Sequence, residues 1–90
     1  MDNGLLKDIG ALLYGVRFRA PMARDLYVTD RTVRRWLAGE FELSKENISK
    51  LLVLLDNRET RIKEVRKVLQ REITNRYRAH VRAVRESLRH

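Results

Sequence analysis

The sequence predicts an all-α fold of four short helices followed by one long basic helix. Three observations carry this. Ninety residues hold one proline and four glycines, so few positions break a helix. Apolar residues recur at steps of three and four through most of the chain. Cysteine is absent, which excludes a disulfide framework and a thiolate metal site.

The elements follow in order. Leu5, Leu6, Ile9, Leu12, Leu13 and Val16 share helical spacing, so a first helix is expected over about 4–16. Arg17 to Ala20 reads as a connector. Pro21 suits the first position of a second helix, over about 21–27, because no N–H is needed there. Met22, Ala23 and Leu26 form its apolar face. Thr29 has the hydroxyl of a helix cap, and a third helix is expected over about 30–38, stopped by Gly39. Ser44 caps a fourth helix over about 45–56, with Ile48, Leu51, Leu52 and Leu55 inward.

The last segment is of another kind. From about Glu59 the apolar positions are Ile62, Val65, Leu69, Ile73, Tyr77, Val81, Val84 and Leu88. They draw one narrow stripe along a helix whose opposite face is mostly basic. Thirty residues at ~1.5 Å each reach roughly 45 Å, longer than the small domain before it. The stripe therefore needs a partner, most simply a second copy of the chain. Two domains are expected: 1–57, and 58–90 as a basic dimerisation arm.

Charge sharpens this division. Twenty Lys and Arg against twelve Asp and Glu give a formal net charge of +8. Residues 1–57 hold nine basic and eight acidic side chains, net +1; residues 58–90 hold eleven and four, net +7. A basic balance favours a polyanion, usually nucleic acid. No run approaches the ~20 apolar residues of a membrane span, and no secretory leader is recognised, so a soluble cytoplasmic chain is expected.

One stretch carries specific chemistry: "PMARDLYVTDRTVRRWLAG", residues 21 to 39. Ala23 is small enough for a helix crossing. Leu26, Val28, Val33 and Trp36 fall at offsets that face one core, so two short helices joined by a tight turn form a helix-turn-helix. The expected fold class is then an all-α compact helix-turn-helix bundle of four short helices with a long basic C-terminal helix. That spacing leaves Thr29, Asp30, Arg31, Thr32, Arg34 and Arg35 pointing outward. A reader of the DNA major groove needs such groups, because a guanidinium pairs with guanine O6 and N7.

Ala23, Leu26, Val28, Thr29, Val33, Arg35, Trp36 and Gly39 stand where the Cro and lambda-repressor-like (Xre-type) helix-turn-helix family has its pattern residues. Residues 5–57 resemble that family, and "LSKENISKLLVLL" resembles its next helix. Tyr27 departs from it by replacing the usual turn glycine. A non-glycine residue there has to adopt a left-handed conformation. The resemblance implies a sequence-specific regulator of bacterial or phage type that binds double-stranded DNA as a homodimer. By this mapping Arg31 and Arg34 contact bases, and Thr29, Thr32 and Arg35 contact phosphates or bases. Asp30 accepts from cytosine or orients an arginine, and Arg19 and Arg24 reach backbone phosphate. The setting implied is a cytoplasm, near the nucleoid or in a phage-infected host.

Other readings were open at this level. Arg66, Lys67, Arg71, Arg78 and Arg82 suit either a second DNA surface or a solvated face. Trp36 reads as core rather than a base-stacking group. His80 has no neighbours spaced as metal ligands, and His90 is terminal, so no metal or cofactor is expected. The chain lacks a phosphate loop, a nucleophile elbow or a plausible catalytic triad, so it is not read as an enzyme. The rivals are an architectural DNA binder and an antitoxin-like module whose long helix masks a protein.

Overall fold

A computed structural model describes residues 1–88 and is helical throughout apart from short connections. Four helices follow in order: α1 (Asn3–Tyr14), α2 (Arg19–Leu26), α3 (Asp30–Leu37) and α4 (Lys45–Leu88). The chain divides into two units, Met1–Arg58 and Glu59–His90, and α4 contributes to both.

The first unit holds the core. Leu6 and Leu13 of α1, Phe18 of the first connection, Met22, Ala23 and Leu26 of α2, Val33 and Trp36 of α3, and Leu51 of α4 are buried together. Ile9, Tyr14, Val28, Leu37, Leu43, Leu54 and Leu55 pack against them partly buried. Every helix of the unit thus presents one apolar face to the others, which is the condition for short helices to be stable. No buried side-chain polar atom among the described residues lacks a partner.

Capping sets the boundaries. The Asp2 carboxylate accepts from the Gly4 N–H at 3.1 Å and opens α1. Ser44 Oγ accepts from the Asn47 N–H at 3.1 Å and opens α4, as its place in the sequence predicts. At the end of α3, Gly39 takes φ 77° and donates to the Trp36 carbonyl, while Glu40 donates to that of Arg35. This pair of bonds is the Schellman closure, which needs a residue free to turn left-handed.

Several expectations are corrected. The expected break between a fourth helix at 45–56 and a last one is absent: α4 runs unbroken for 44 residues. Asp56 and Asn57 are weak helix formers, but Arg58 is a good one and no glycine or proline stands among them to stop propagation. α1 ends at Tyr14 rather than 16, because Gly15 adopts φ 85° and turns the chain. Val16 is therefore exposed, at 94%, and Leu5 and Leu12 lie on the outer face of α1. α2 begins at Arg19, so Arg19 and Ala20 belong to it and Pro21 is its third residue. Proline is tolerated there because that N–H has no intrahelical acceptor. In α4, Leu52 is exposed and Ile48 is partly buried, while Leu54 and Leu55 pack against the core.

One contact fixes how α1 meets the first connection. A Cβ built on Gly10 would lie 2.2 Å from Phe18 Cδ2. Only glycine lets the Phe18 ring lie on the α1 backbone. Two long-range hydrogen bonds add to this. The Tyr14 hydroxyl donates to Asp25 Oδ2 at 2.5 Å, and the Arg58 guanidinium donates to the Leu13 carbonyl. Burial, then the bond to Asp25, pushes the Tyr14 hydroxyl far above its ordinary titration range.

In the second unit, no residue between 59 and 88 is buried, and only Val81 is partly so. Ile62, Leu69, Ile73 and Tyr77 are all more than half exposed. No described helix is long and apolar enough to cross a membrane.

Candidate nucleic-acid interface

The candidate site is α3 with the turn that leads into it. α2 stops at Leu26 because Tyr27 takes φ 58° and ψ 41°, the left-handed conformation that its place in the turn requires. Its N–H donates to the Arg24 carbonyl at 3.3 Å, and the Val28 N–H donates to that of Ala23 at 2.9 Å. This is again the Schellman closure, built here on a tyrosine. The cost of a left-handed non-glycine residue is on the order of 1 kcal/mol. The Tyr27 ring gains little burial in return, since it is 88% exposed. The Lys50 ammonium lies 5.6 Å from its centroid, a cation–π contact that offsets part of that cost.

Thr29 then starts α3. Its backbone is extended, with ψ 157°, and its Oγ1 accepts from the Thr32 N–H at 3.1 Å. The two hydroxyls also meet, 2.9 Å apart. Thr29 is thus the cap that the sequence predicts.

The register of α3 follows from its core. Val33 and Trp36 are buried and Leu37 is partly buried. At about 100° per residue these occupy one side, and Arg31, Arg34 and Arg35 fall on the opposite one. Asp30 and Thr32 flank that side, partly buried. Three arginines and one aspartate leave α3 at net +2.

The cations differ in how they are held. Arg34 Nε pairs with Asp30 Oδ2 at 2.8 Å one turn back, so the carboxylate orients the guanidinium. Arg35 is held by Glu40 Oε2 at 3.8 Å and lies over the Phe41 ring, 5.5 Å from the centroid. Arg31 is exposed and has no ion-pair partner among the described residues. Arg19, the first residue of α2, is exposed and lines a groove with Asn3, Lys7 and Leu37. That groove reaches the C-terminal end of α3, not its first turn. Arg24 is exposed on α2. Trp36 is 5% exposed and belongs to the core.

Some participants were not read from the sequence. Lys7 shares the groove with Arg19, and Glu40 and Phe41 hold Arg35. Neither shows in helical periodicity, because each lies on an exposed face or in an irregular connection. The arrangement offers a cationic helix face with one guanidinium pre-oriented, one restrained and one unpaired. Such a face suits a polyanion with acceptor groups spaced along a groove.

The chain matches no family model, no curated protein and no solved structure.

Proposed function

We propose that the protein is a sequence-specific DNA-binding regulator of the Cro-like helix-turn-helix type, with α3 as the helix that enters the major groove. The observation that carries this is the register of α3. Val33 and Trp36 anchor it in the core while Arg31, Arg34 and Arg35 line the opposite face. The left-handed Tyr27 supports the same reading, since the turn keeps the conformation that a glycine would normally supply.

In this reading Arg31 and Arg34 reach base edges. A guanidinium makes two parallel bonds to a guanine, worth ~1–3 kcal/mol of discrimination. Asp30 fixes the Arg34 fork before binding, which lowers the entropy lost on contact. Arg35 serves phosphate or base from its restrained position, and Thr29 and Thr32 bond phosphate at the helix start. Arg19 contacts backbone. Arg24, on the same helix, does likewise.

A second copy of the chain pairs through the α4 stripe. Ile62, Ile73 and Val84 recur at eleven residues, with Val65, Leu69, Tyr77 and Val81 between them. An eleven-residue repeat keeps a seam facing its partner with a slight right-handed supercoil. The homodimer would read two half-sites of a near-palindromic operator and, in a cytoplasmic nucleoid setting, block polymerase at a promoter.

The test is fluorescence anisotropy at one salt concentration. One duplex carries the region upstream of the protein's own gene, and the other a shuffled version. A sequence-specific reader binds the first at least ~1000-fold more tightly. Equal affinity for both would exclude this reading.

A further inference from the structure

We propose that α4 carries a second, sequence-neutral phosphate-binding surface for duplex nucleic acid, formed by Lys67, Arg71, Arg78 and Arg82. The inference rests on DNA as the ligand, but not on base reading by α3.

The first observation is which cations are already neutralised. Between Glu59 and Leu88, Arg61 pairs with Glu64 at 3.3 Å, Lys63 with Glu59 at 3.2 Å and Arg76 with Glu72 at 3.1 Å. Lys67, Arg71, Arg78 and Arg82 have no carboxylate within ion-pair distance among the described residues, and all are exposed. Three of the unit's four glutamates are thus spent on other cations.

The second observation is where these four lie. At about 100° per residue they fall on one side of α4, within about 60° of each other. That side holds no carboxylate between Lys67 and Arg82. Four like charges on one ridge repel one another, and i,i+4 pairs such as Lys67 with Arg71 weaken the free helix. Fifteen residues at ~1.5 Å give the ridge a length of about 22 Å. A duplex presents one phosphate charge per ~1.7 Å of axis, so a ridge of this length meets several. Gln70 and Asn75 line a shallow groove with Lys67, Arg71 and Arg78 and add uncharged donors of the kind that bond phosphate.

The position of the apolar stripe selects the ligand. The stripe lies roughly 160° around the helix from Lys67 and Arg71, and drifts to within about 60–100° of Arg78, which lines a groove with Tyr77 and Val81. A helix lying on an anionic membrane buries its apolar face and would turn Lys67 and Arg71, on the far side, away from the lipid. A second copy on the stripe would instead leave the ridge open to a polyanion. The side chains are flexible and the ridge follows no base edge, so the contact sets affinity rather than preference.

The experiment compares the full chain with the quadruple variant K67A/R71A/R78A/R82A. Alanine is the best helix former, and circular dichroism verifies that helix content is kept. Anisotropy is measured with a scrambled-sequence duplex over a salt series. Each phosphate contact contributes about 0.9 to the slope of log K against log salt, so the variant's slope should fall by ~3.6 per chain. Affinity for the upstream duplex should fall by the same factor, leaving the preference ratio unchanged. A slope within one contact, ~0.9, of the wild-type value overturns the proposal. So does an unchanged slope together with loss of binding to phosphatidylserine vesicles, which would assign the ridge to a membrane. An R31A/R34A variant separates the two readings. If it keeps its sequence preference, base reading by α3 fails, while the slope change in the α4 variant still stands.

Discussion

Residues 1–58 and residues 59–88 are built by opposite rules. The first segment carries ten basic and eight acidic side chains, net +2, and buries nine apolar residues together. The second carries nine basic and four acidic, net +5, and buries none of its own among the described residues. Where apolar groups converge, a fixed geometry results, and geometry is what selecting among base pairs requires. Where charge accumulates without a core, the chain supplies attraction that any phosphate backbone satisfies. In the proposed function this is a division of labour: α3, held in one register by Val33 and Trp36, reads bases, whereas α4 beyond Glu59 offers an exposed stripe and a cationic ridge.

The largest effect should come from breaking the core on one side only. Trp36→Ala removes a side chain that is 5% exposed and should cost about 3–5 kcal/mol in chemical denaturation. Ile73→Ala, at 69% exposure, should leave unfolding of residues 1–58 unchanged and instead shift the sedimentation of the chain toward monomer. Equal destabilisation by both would erase the distinction between the regions.

Next in size is Gly10→Ala. The new Cβ would meet the Phe18 ring well inside contact distance, and a ring locked in the core cannot swing aside. Overpacking of this kind costs ~1–3 kcal/mol, less up to ~1 returned by alanine's better helix propensity. Thermal denaturation should show a net loss; a gain would mean that Phe18 does not rest on α1.

Tyr27→Gly should act in the other direction. It relieves the left-handed tyrosine and loses one exposed cation–π contact, for a net gain of about 0.5 kcal/mol. Tyr27→Ala keeps the strain and loses the contact, so it should destabilise slightly. The pair, measured by urea midpoints, isolates the backbone conformation from the side chain.

The smallest effect is confined to alkaline pH. The folded state holds the Tyr14 hydroxyl above the ordinary tyrosine value of 10.0, so more protons are bound folded than unfolded once pH exceeds about 10. The stability it contributes is complete below that pH and declines as pH rises further. Wild type should lose stability above pH 10 more steeply than Tyr14→Phe, while the two run parallel at neutral pH. Parallel behaviour throughout would mean that neither burial nor the bond to Asp25 perturbs the hydroxyl.

Much of the fold was legible where one residue type has one local job. Thr29, Ser44 and Gly39 mark helix ends because a hydroxyl or a free φ is needed there, and the structure places all three as read. Val33 and Trp36 fixed the register of α3 through spacing alone. Other features depend on contacts between distant segments. Phe18 lies in a connection, so no periodicity marks it as core, and its seat on Gly10 exists only after α1 and the connection meet. Leu5 and Leu12 share the spacing of Leu6 and Leu13, but α1 buries one face only and no second surface of the unit covers them. The fusion of two expected helices across Asp56 and Asn57 shows that weak helix formers do not by themselves end a helix. At the candidate site, exposure of Arg31 and Arg34 followed from the pattern. The restraint on Arg35 by Glu40 and Phe41 did not, because both lie in the irregular stretch after α3.

The central claim is that α3 reads sequence. The most direct measurement is selection from a pool of random duplexes by the wild-type chain and by R31A/R34A, at the same salt, followed by sequencing of the bound fraction. The wild type should enrich a two-part motif with guanines at fixed positions, and those positions should randomise with the variant. Recovery of the same motif by both proteins, or of none by the wild type, would contradict it.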